Sequence, residues 1–260
     1  MNLACAFSEQ EWAVLAGELR LKPCAQRDPQ RSLAAAALLD EAVCEQLLLS
    51  LTPIIGSPSI AVTASLLGKR LAFLATGACL YAMSVYDKGL LLSLDNAVIE
   101  YGHDEGLWTS SLPLQQLQPS VYEAGEREAW RAMIVETLFA SLLKPLWQTL
   151  ARVSGVSVRI LWDNTAVRVY SLYEKRMAKL EAVELRERCA ADFAWLLQTA
   201  QPHLFGLDYN PLRHFRRPLT LVDDGQRSVR FRRTCCFYYQ ACNPVEYCST
   251  CPLLRPRKKH

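Results

Sequence analysis

The sequence predicts an α+β fold: a predominantly helical body with short β-hairpins and a small cysteine-rich module near the C-terminal end. Three observations predict it. Apolar residues recur at helical spacing through most of the first two thirds of the chain. Alternating apolar segments flank tight polar turns at 89–102 and 219–233. Five of the ten cysteines fall between Cys235 and Cys251.

Ser8 and Glu11 form a capping-box pattern that opens a helix with Trp12, Leu15 and Leu19 on one face. Asp28-Pro29 reads as an N-cap followed by proline at the first helical position, introducing an Ala/Leu-rich helix from Arg31 to about Leu51. Ser57-Pro58 repeats that signal ahead of a helix over 60–67, and Gly68 separates it from a second helix over 71–86. The period then changes. Residues 89–94 and 97–102 read as two strands joined at Asp95-Asn96, and 103–106 reads as loop. A helix is expected over 123–153, with Trp130, Ile134, Leu138, Leu142 and Leu146 at helical spacing and Pro145 kinking or splitting it. Two more cover 160–180 and 181–199. Pro202, Gly206, Pro211 and Pro218 break the pattern, and 219–222 with 227–233 form a hairpin around Asp223-Asp224-Gly225. These breaks put a boundary near 202–215, between a body of residues 1–205 and a module of residues 206–260.

With 51% apolar and 21% charged residues, the 260-residue chain can bury a substantial core. A net charge of +3 does not by itself imply a nucleic-acid partner, and no helix–turn–helix or RNA-binding signature appears. Residues 1–8 lack a basic n-region and meet Glu9 and Glu11 before any long apolar run, so no export signal is read. The longest apolar stretch, Leu71 to Tyr86, is about one turn short of a membrane span and reads as a buried helix. A soluble, cytoplasmic monomer is the expectation. Cys5, Cys24, Cys44, Cys79 and Cys189 stand singly in helical or apolar sequence and read as buried, reduced thiols.

The remaining cysteines are patterned. Cys235, Cys236, Cys248 and Cys251 give the spacing C-C-x11-C-x2-C, with Cys242 inside the gap. Four thiolates suffice for a 2Fe–2S cluster, and a C-x2-C turn can aim both sulfurs at one metal site. Adjacent cysteines point to opposite faces of a regular strand, so both can be ligands only if the strand ends and the backbone turns there. A four-cysteine zinc site is the main competitor, although such sites use two separated chelating pairs and a directly adjacent pair is unusual. Disulfides fit an intracellular chain poorly. A Rieske centre needs two histidines, and none lies between Cys235 and Cys251. The spacing favours iron–sulfur and leaves zinc open.

The segment resembles the C-terminal signature of the FhuF-like ferric-siderophore reductases, which carry C-C-x10-C-x2-C in a setting similar to R-R-T-C-C-x-Y-Y. The matching residues are Arg232, Arg233, Thr234, Cys235, Cys236, Tyr238, Tyr239, Cys248, Cys251, Pro252 and Leu253. The family's upstream W-x-N element is similar to Trp162-Asp163-Asn164. The gap here is eleven residues instead of ten, which a loop accommodates at small cost; Cys242 is the alternative ligand it offers. The resemblance implies a 2Fe–2S cofactor held by the four matching cysteines. It also implies a body that binds a ferric siderophore, of hydroxamate type by preference, and one-electron reduction that releases Fe(II) in the cytoplasm. Electrons would come from a separate donor: reduced flavin, a flavin reductase or a ferredoxin.

Nothing else in the sequence competes as a catalytic device. No catalytic triad, phosphate loop or H-E-x-x-H appears, and no G-x-G-x-x-G follows a strand, so a bound nicotinamide is not expected. Arg230, Arg232 and Arg233 lie close to the cysteines, where they would offset thiolate charge or meet an anionic chelate or acidic donor. With Trp162 and Asn164 they are the candidate substrate-binding residues. His103, Trp108, His203 and His214 are weaker candidates for a cleft or for hydrogen bonds near the cluster. The 255–260 tail reads as frayed, with at most peripheral contact with anionic lipid. Two other function classes remain at this level: a zinc-stabilised binding or adaptor protein without redox activity, and an iron–sulfur sensor.

Overall fold

Ser8 caps the first helix as its pattern requires: its Oγ accepts from the Glu11 amide at 3.2 Å while Glu11 Oε2 accepts from the Ser8 amide at 2.7 Å. The computed structural model describes residues 6–222 and 225–256. Helix α1 (Glu9–Gly17) leads into strand β1 (Leu21–Pro23) and, after a 3₁₀ turn, strand β2 (Ser32–Ala34). Helices α2 (Glu41–Ile55) and α3 (Ile60–Tyr86) follow. Then come strands β3 (Val98–Glu100), β4 (His103–Asp104), β5 (Leu107–Trp108) and β6 (Leu112–Leu114). The second half carries α4 (Arg127–Glu136), α5 (Lys144–Ser154), α6 (Val158–Ser171), α7 (Val183–Gln198) and α8 (Pro211–Phe215). Strands β7 (Thr220–Val222) and β8 (Arg227–Val229) follow, and 3₁₀ turns at Tyr238–Ala241 and Pro252–Leu254 lie in the cysteine segment. This is the α+β arrangement with a helical body, its strands paired two by two among the described residues.

Several elements differ from the sequence expectation, each for a physical reason. The helix expected from Arg31 begins only at Glu41. Asp28 Oδ1 accepts from the amides of Gln30 and Arg31 and closes a turn, and 32–34 then extend as β2 against β3. Asp40 is the working N-cap, accepting from Ala42 and Val43. Buried Glu100 makes the extended form favourable, because its carboxylate accepts from the amides of Asp28 and Ser111 and pairs with Lys22 at 3.1 Å. Strand β3 therefore pairs with β2, not with 89–94, and the hairpin expected at 89–102 does not form. The loop expected at 103–106 is a hairpin, β4 with β5, turning on Glu105 and Gly106, both with positive φ. Asp223 and Asp224, expected at the last hairpin turn, lie outside the described residues, but β7 and β8 pair antiparallel around them.

Gly68 does not break a helix. It lies inside the 27-residue α3, capped by Ser59, and a Cβ there would stand 2.6 Å from Leu161 Cδ2 of α6. The missing side chain lets α3 and α6 approach closely at the centre of the body. Helix α3 is long and apolar enough by composition to cross a membrane, yet 72% of its most apolar window is buried inside the protein. Helix α4 starts at Arg127, and a π-helical stretch over Thr137–Leu143 takes up the register before Pro145 in the first turn of α5. Helices over 158–179 and 183–198 agree with expectation, as does burial of Cys24, Cys44, Cys79 and Cys189; Cys5 lies outside the described residues. One hydrophobic core joins α2 through α8, and Phe237 and Tyr238 of the cysteine segment pack against it.

Candidate iron–sulfur site

The cysteine segment is seated on the surface where α3 crosses α6. Four residues of α6 in sequence, Leu161 to Asn164, are buried, and two of them are polar. Asp163 Oδ2 accepts from the Thr234 amide at 2.6 Å and from Thr234 Oγ1 at 2.8 Å, and lies 3.7 Å from Arg232 Nε. Asn164 accepts from Arg232 Nη2 and donates to the Ser65 carbonyl of α3 at 3.0 Å. Ser65 Oγ in turn donates to the Cys236 carbonyl at 2.9 Å. Arg232, only 2% exposed, is thus held on both sides, and its amide donates to the Thr250 carbonyl at 3.0 Å. Two stretches distant in sequence, 232–236 and 248–251, are tied together beneath the sulfurs.

The backbone supplies the turn that an adjacent cysteine pair needs. Strand β8 ends at Val229, and Phe237 takes φ +61°, reversing the chain directly after Cys236. The C-x2-C element is a turn in which the Cys251 amide donates to the Cys248 carbonyl at 2.9 Å. Cys236 and Cys251 are buried, while Cys235 and Cys248 are half-buried. The Cys236 and Cys248 sulfurs are 3.7 Å apart. Two thiolates bound about 2.3 Å from one tetrahedral metal lie about 3.8 Å apart, so this pair has the spacing of ligands to a single metal. Cys235 neighbours Cys236 and Cys251. Among the described residues no three His, Cys, Asp or Glu side chains gather about one point. Cys242 is engaged elsewhere, its thiol donating to the Tyr238 carbonyl at 3.3 Å.

The electrostatics favour thiolate at Cys236. The shared proton with Cys248, aided by Arg232 and Lys69 and against the effect of burial, pulls Cys236 down to about 4. Its partner Cys248 is pushed up, chiefly by that hydrogen bond and by burial. Burial raises Cys235. Lys69 Nζ of α3 sits 3.7 Å from the Cys236 sulfur and 4.8 Å from the centre of the Tyr238 ring. Arg168 of α6 also faces Cys236 and Cys248, and burial lowers its guanidinium. The Cys236–Cys248 pair with cations around it fits part of the ligand set of a cluster whose ligands carry net negative charge.

The residues singled out from sequence go to different places. Trp162 is 1% exposed and packs against Phe139 in the core. Asn164 and Arg232 are buried in the network beneath the cysteines. Arg230 pairs with Glu174 at 2.7 Å. Arg233 is exposed, on a separate groove with His214 and Tyr209. His103 packs edge-on to Trp108 at 5.0 Å in the β4–β5 hairpin. Sequence reasoning missed Ser65, Lys69, Asp163 and Arg168. Asp163 stands inside the W-x-N element; the others had no local signal, because only the α3–α6 crossing brings them to the cysteines.

Two family models match the chain. One, described as ferric iron reductase FhuF-like transporter, matches residues 65–229. The other, described as FhuF 2Fe-2S C-terminal domain, matches residues 232–253 and indicates a 2Fe–2S cluster. Comparison with curated proteins gives no match. The first match begins at Ser65 on α3 and the second spans the cysteines that Ser65 and α6 support, so fold, site and comparison agree: the chain belongs to the FhuF-like ferric iron reductase family.

Proposed function

We propose that this protein reduces a bound ferric siderophore by one electron and so releases Fe(II). Cys235, Cys236, Cys248 and Cys251 are the ligands of its cluster. When bound, a 2Fe–2S cluster is a one-electron carrier whose potential follows net charge, hydrogen bonding and exposure. The observation that carries this reading is the 3.7 Å Cys236–Cys248 pair, half-open to solvent at Cys248 and flanked by Lys69.

The chain's own residues divide the remaining work. Asp163, Asn164 and Ser65 position the 232–236 segment; Arg232 and Lys69 place positive charge against the sulfurs and favour the reduced state. Trp162 supports α6 from within the core. Exposed Arg233 belongs to a surface suited to an acidic electron donor, whether a ferredoxin or a flavin reductase; reduced flavin is the small-molecule alternative. Fe(III) is the harder, more highly charged ion, so a hard-oxygen chelate holds it far more tightly than Fe(II). One electron therefore loosens the chelate without any acid or base from the protein. The reaction belongs in the cytoplasm, carried out by a monomer in which residues 206–260 are a module built onto the 1–205 body. The thiolates do not choose between a hydroxamate and another chelate; their surroundings do.

The test is direct. Protein purified without oxygen should be red-brown and bleach on dithionite. Serine at Cys235, Cys236, Cys248 or Cys251 should remove the colour, while Cys242→Ser keeps it. Mixed with a ferric chelate and a ferrous trap, the reduced protein should yield Fe(II). Colourless protein with one zinc per chain would overturn the redox reading in favour of a zinc-stabilised adaptor. A reducible cluster that releases no Fe(II) would point to a sensor.

A further inference from the structure

A groove of about 590 Å³ opens beside Cys248, lined by Lys69, Arg168, Lys175, Tyr238 and Tyr247 among others. It runs on through Arg168, Ser171 and Lys175 into a second groove of about 510 Å³ between α3 and α6. Both volumes lie in the range of small-ligand sites. We propose that this groove holds the ferric chelate and selects one of net negative charge, its iron bound through catecholates or carboxylates. The proposal rests on the reductase reading above and names its substrate class.

The charge balance of the groove carries the inference. Among the described residues six cationic side chains line it near Cys248 against two carboxylates, Glu174 and Glu246; Arg230 and Arg232 are matched by Glu174 and Asp163, so Lys69, Arg168 and Lys175 carry the inference. Glu174 is already committed, pairing with Arg216 at 3.0 Å and Arg230 at 2.7 Å. Glu246 stands exposed in the same lining. Arg168 is the telling residue. Its Nε is buried without a hydrogen-bond partner, its guanidinium lies over the Phe73 ring at 5.5 Å, and among the described residues no carboxylate stands within ion-pair reach of it. A buried guanidinium N–H left without an acceptor is costly, and an anionic ligand entering the groove would relieve that cost. Lys69 likewise has the Cys236 sulfur and the Tyr238 ring for neighbours, and no carboxylate among the described residues. Lys175 is exposed where the two grooves join.

Lys69 against the Cys236 sulfur, with Arg232 acting on it through space, offsets thiolate charge, whereas Lys175 lies farther along and has no thiolate to serve. The chelate supplies the matching charge. Three monoanionic hydroxamates cancel the charge of Fe(III) and leave a neutral complex; dianionic catecholates or surplus carboxylates leave it negative. Desolvated cations reward only the second kind. Tyr238 and Tyr247 add aromatic surface against which a planar chelating ring can pack.

Gallium(III) tests binding without electron transfer, because it matches Fe(III) in charge and is not reduced. The holoprotein is titrated calorimetrically with the gallium complex of a hexadentate tris-catecholate and with that of an uncharged hexadentate tris-hydroxamate, at low and at moderate salt. The anionic complex should bind about tenfold more tightly or better, as one well-placed charge contact provides. The preference should shrink with salt and in Lys175→Gln, and shrink further in Arg168→Met. Lys175 is exposed, so its variant folds even if Arg168→Met does not. Equal or tighter binding of the neutral complex, or a preference untouched by Lys175→Gln, would overturn the proposal. Parallel assays with the ferric complexes separate the two readings. Equal reduction of both without any binding preference sinks the groove assignment alone. A salt-sensitive anion preference without Fe(II) release from either chelate sinks the reductase reading alone.

Discussion

Replacing Asp163 by asparagine should loosen the cysteine segment without unfolding the body. Asp163 is fully buried and faces three donors: the Thr234 amide at 2.6 Å, Thr234 Oγ1 at 2.8 Å and Arg232 Nε at 3.7 Å. An asparagine oxygen can still accept from Thr234, so those bonds weaken and are not lost; a hydrogen bond to a charged group is worth about 1.5–3 kcal/mol and a neutral one about 1. Arg232 fares worse. At 2% exposure it would become a buried cation without its carboxylate partner, a loss of about 3–5 kcal/mol. The chain can escape that cost by peeling 232–236 away from α6. A penalty of about 3 kcal/mol raises the open population on the order of 10²-fold. Hydrogen exchange followed by mass spectrometry reads this directly. Exchange should speed up in peptides covering 231–236 and, through the Arg232–Thr250 bond, 248–251, while peptides from α2 and α5 stay protected. Loss of the cluster to a chelator should accelerate in parallel. Combining Asp163→Asn with Arg232→Met should restore much of the protection, since no buried charge is then unpaired. Unchanged exchange over 231–236 in the single variant would refute the argument.

Three further outcomes follow from the same geometry. Gly68→Ala puts a Cβ 2.6 Å from Leu161 Cδ2 at a tightly packed helix crossing, so it should destabilise by about 1–3 kcal/mol in urea denaturation; a neutral result would mean the crossing is slack. Asp192 is buried, which raises its pKa, but Arg127 at 2.9 Å and Arg131 at 2.7 Å outweigh that and hold it below 3.8. Its depressed pKa contributes stability that is present above the unfolded value and lost as pH falls through the folded one. Asp192→Asn should therefore cost about 3–5 kcal/mol near neutrality, with the gap from the parent closing only below about pH 4; a constant gap down to acid pH would refute this. Lys69→Met removes a cation 3.7 Å from the Cys236 sulfur and should lower the cluster's reduction potential in an EPR-monitored titration, and an unmoved potential would show that Lys69 does not act on it.

Much of the molecule was legible from the chain alone wherever the signal was local. The capping box at Ser8, the helical spacing from Trp130 to Leu146 and the last hairpin's alternation all involve residues within a few positions of one another, so short-range hydrogen bonding and side-chain periodicity decide them. The reading failed where a distant partner outweighed a local preference. Asp28-Pro29 is a competent cap, yet the amide of Asp28 goes to Glu100 and the following residues to β3. Gly68 has poor helix propensity, yet close packing with Leu161 keeps it inside α3.

The candidate site divides in the same way. The kind of cofactor was legible in the chain alone, because the residues that carry the resemblance, Arg232 to Tyr239 and Cys248 to Leu253, lie within one short segment; cysteine spacing without them left zinc open. Tertiary structure alone decided what surrounds those sulfurs. Lys69 and Arg168 stand some seventy to one hundred and seventy residues from the cysteines, and only the crossing of α3 and α6 at Gly68 brings both to the Cys236–Cys248 pair. Charge acts through space and not along the chain, so the positive field around the sulfurs could be read only once the helices were packed.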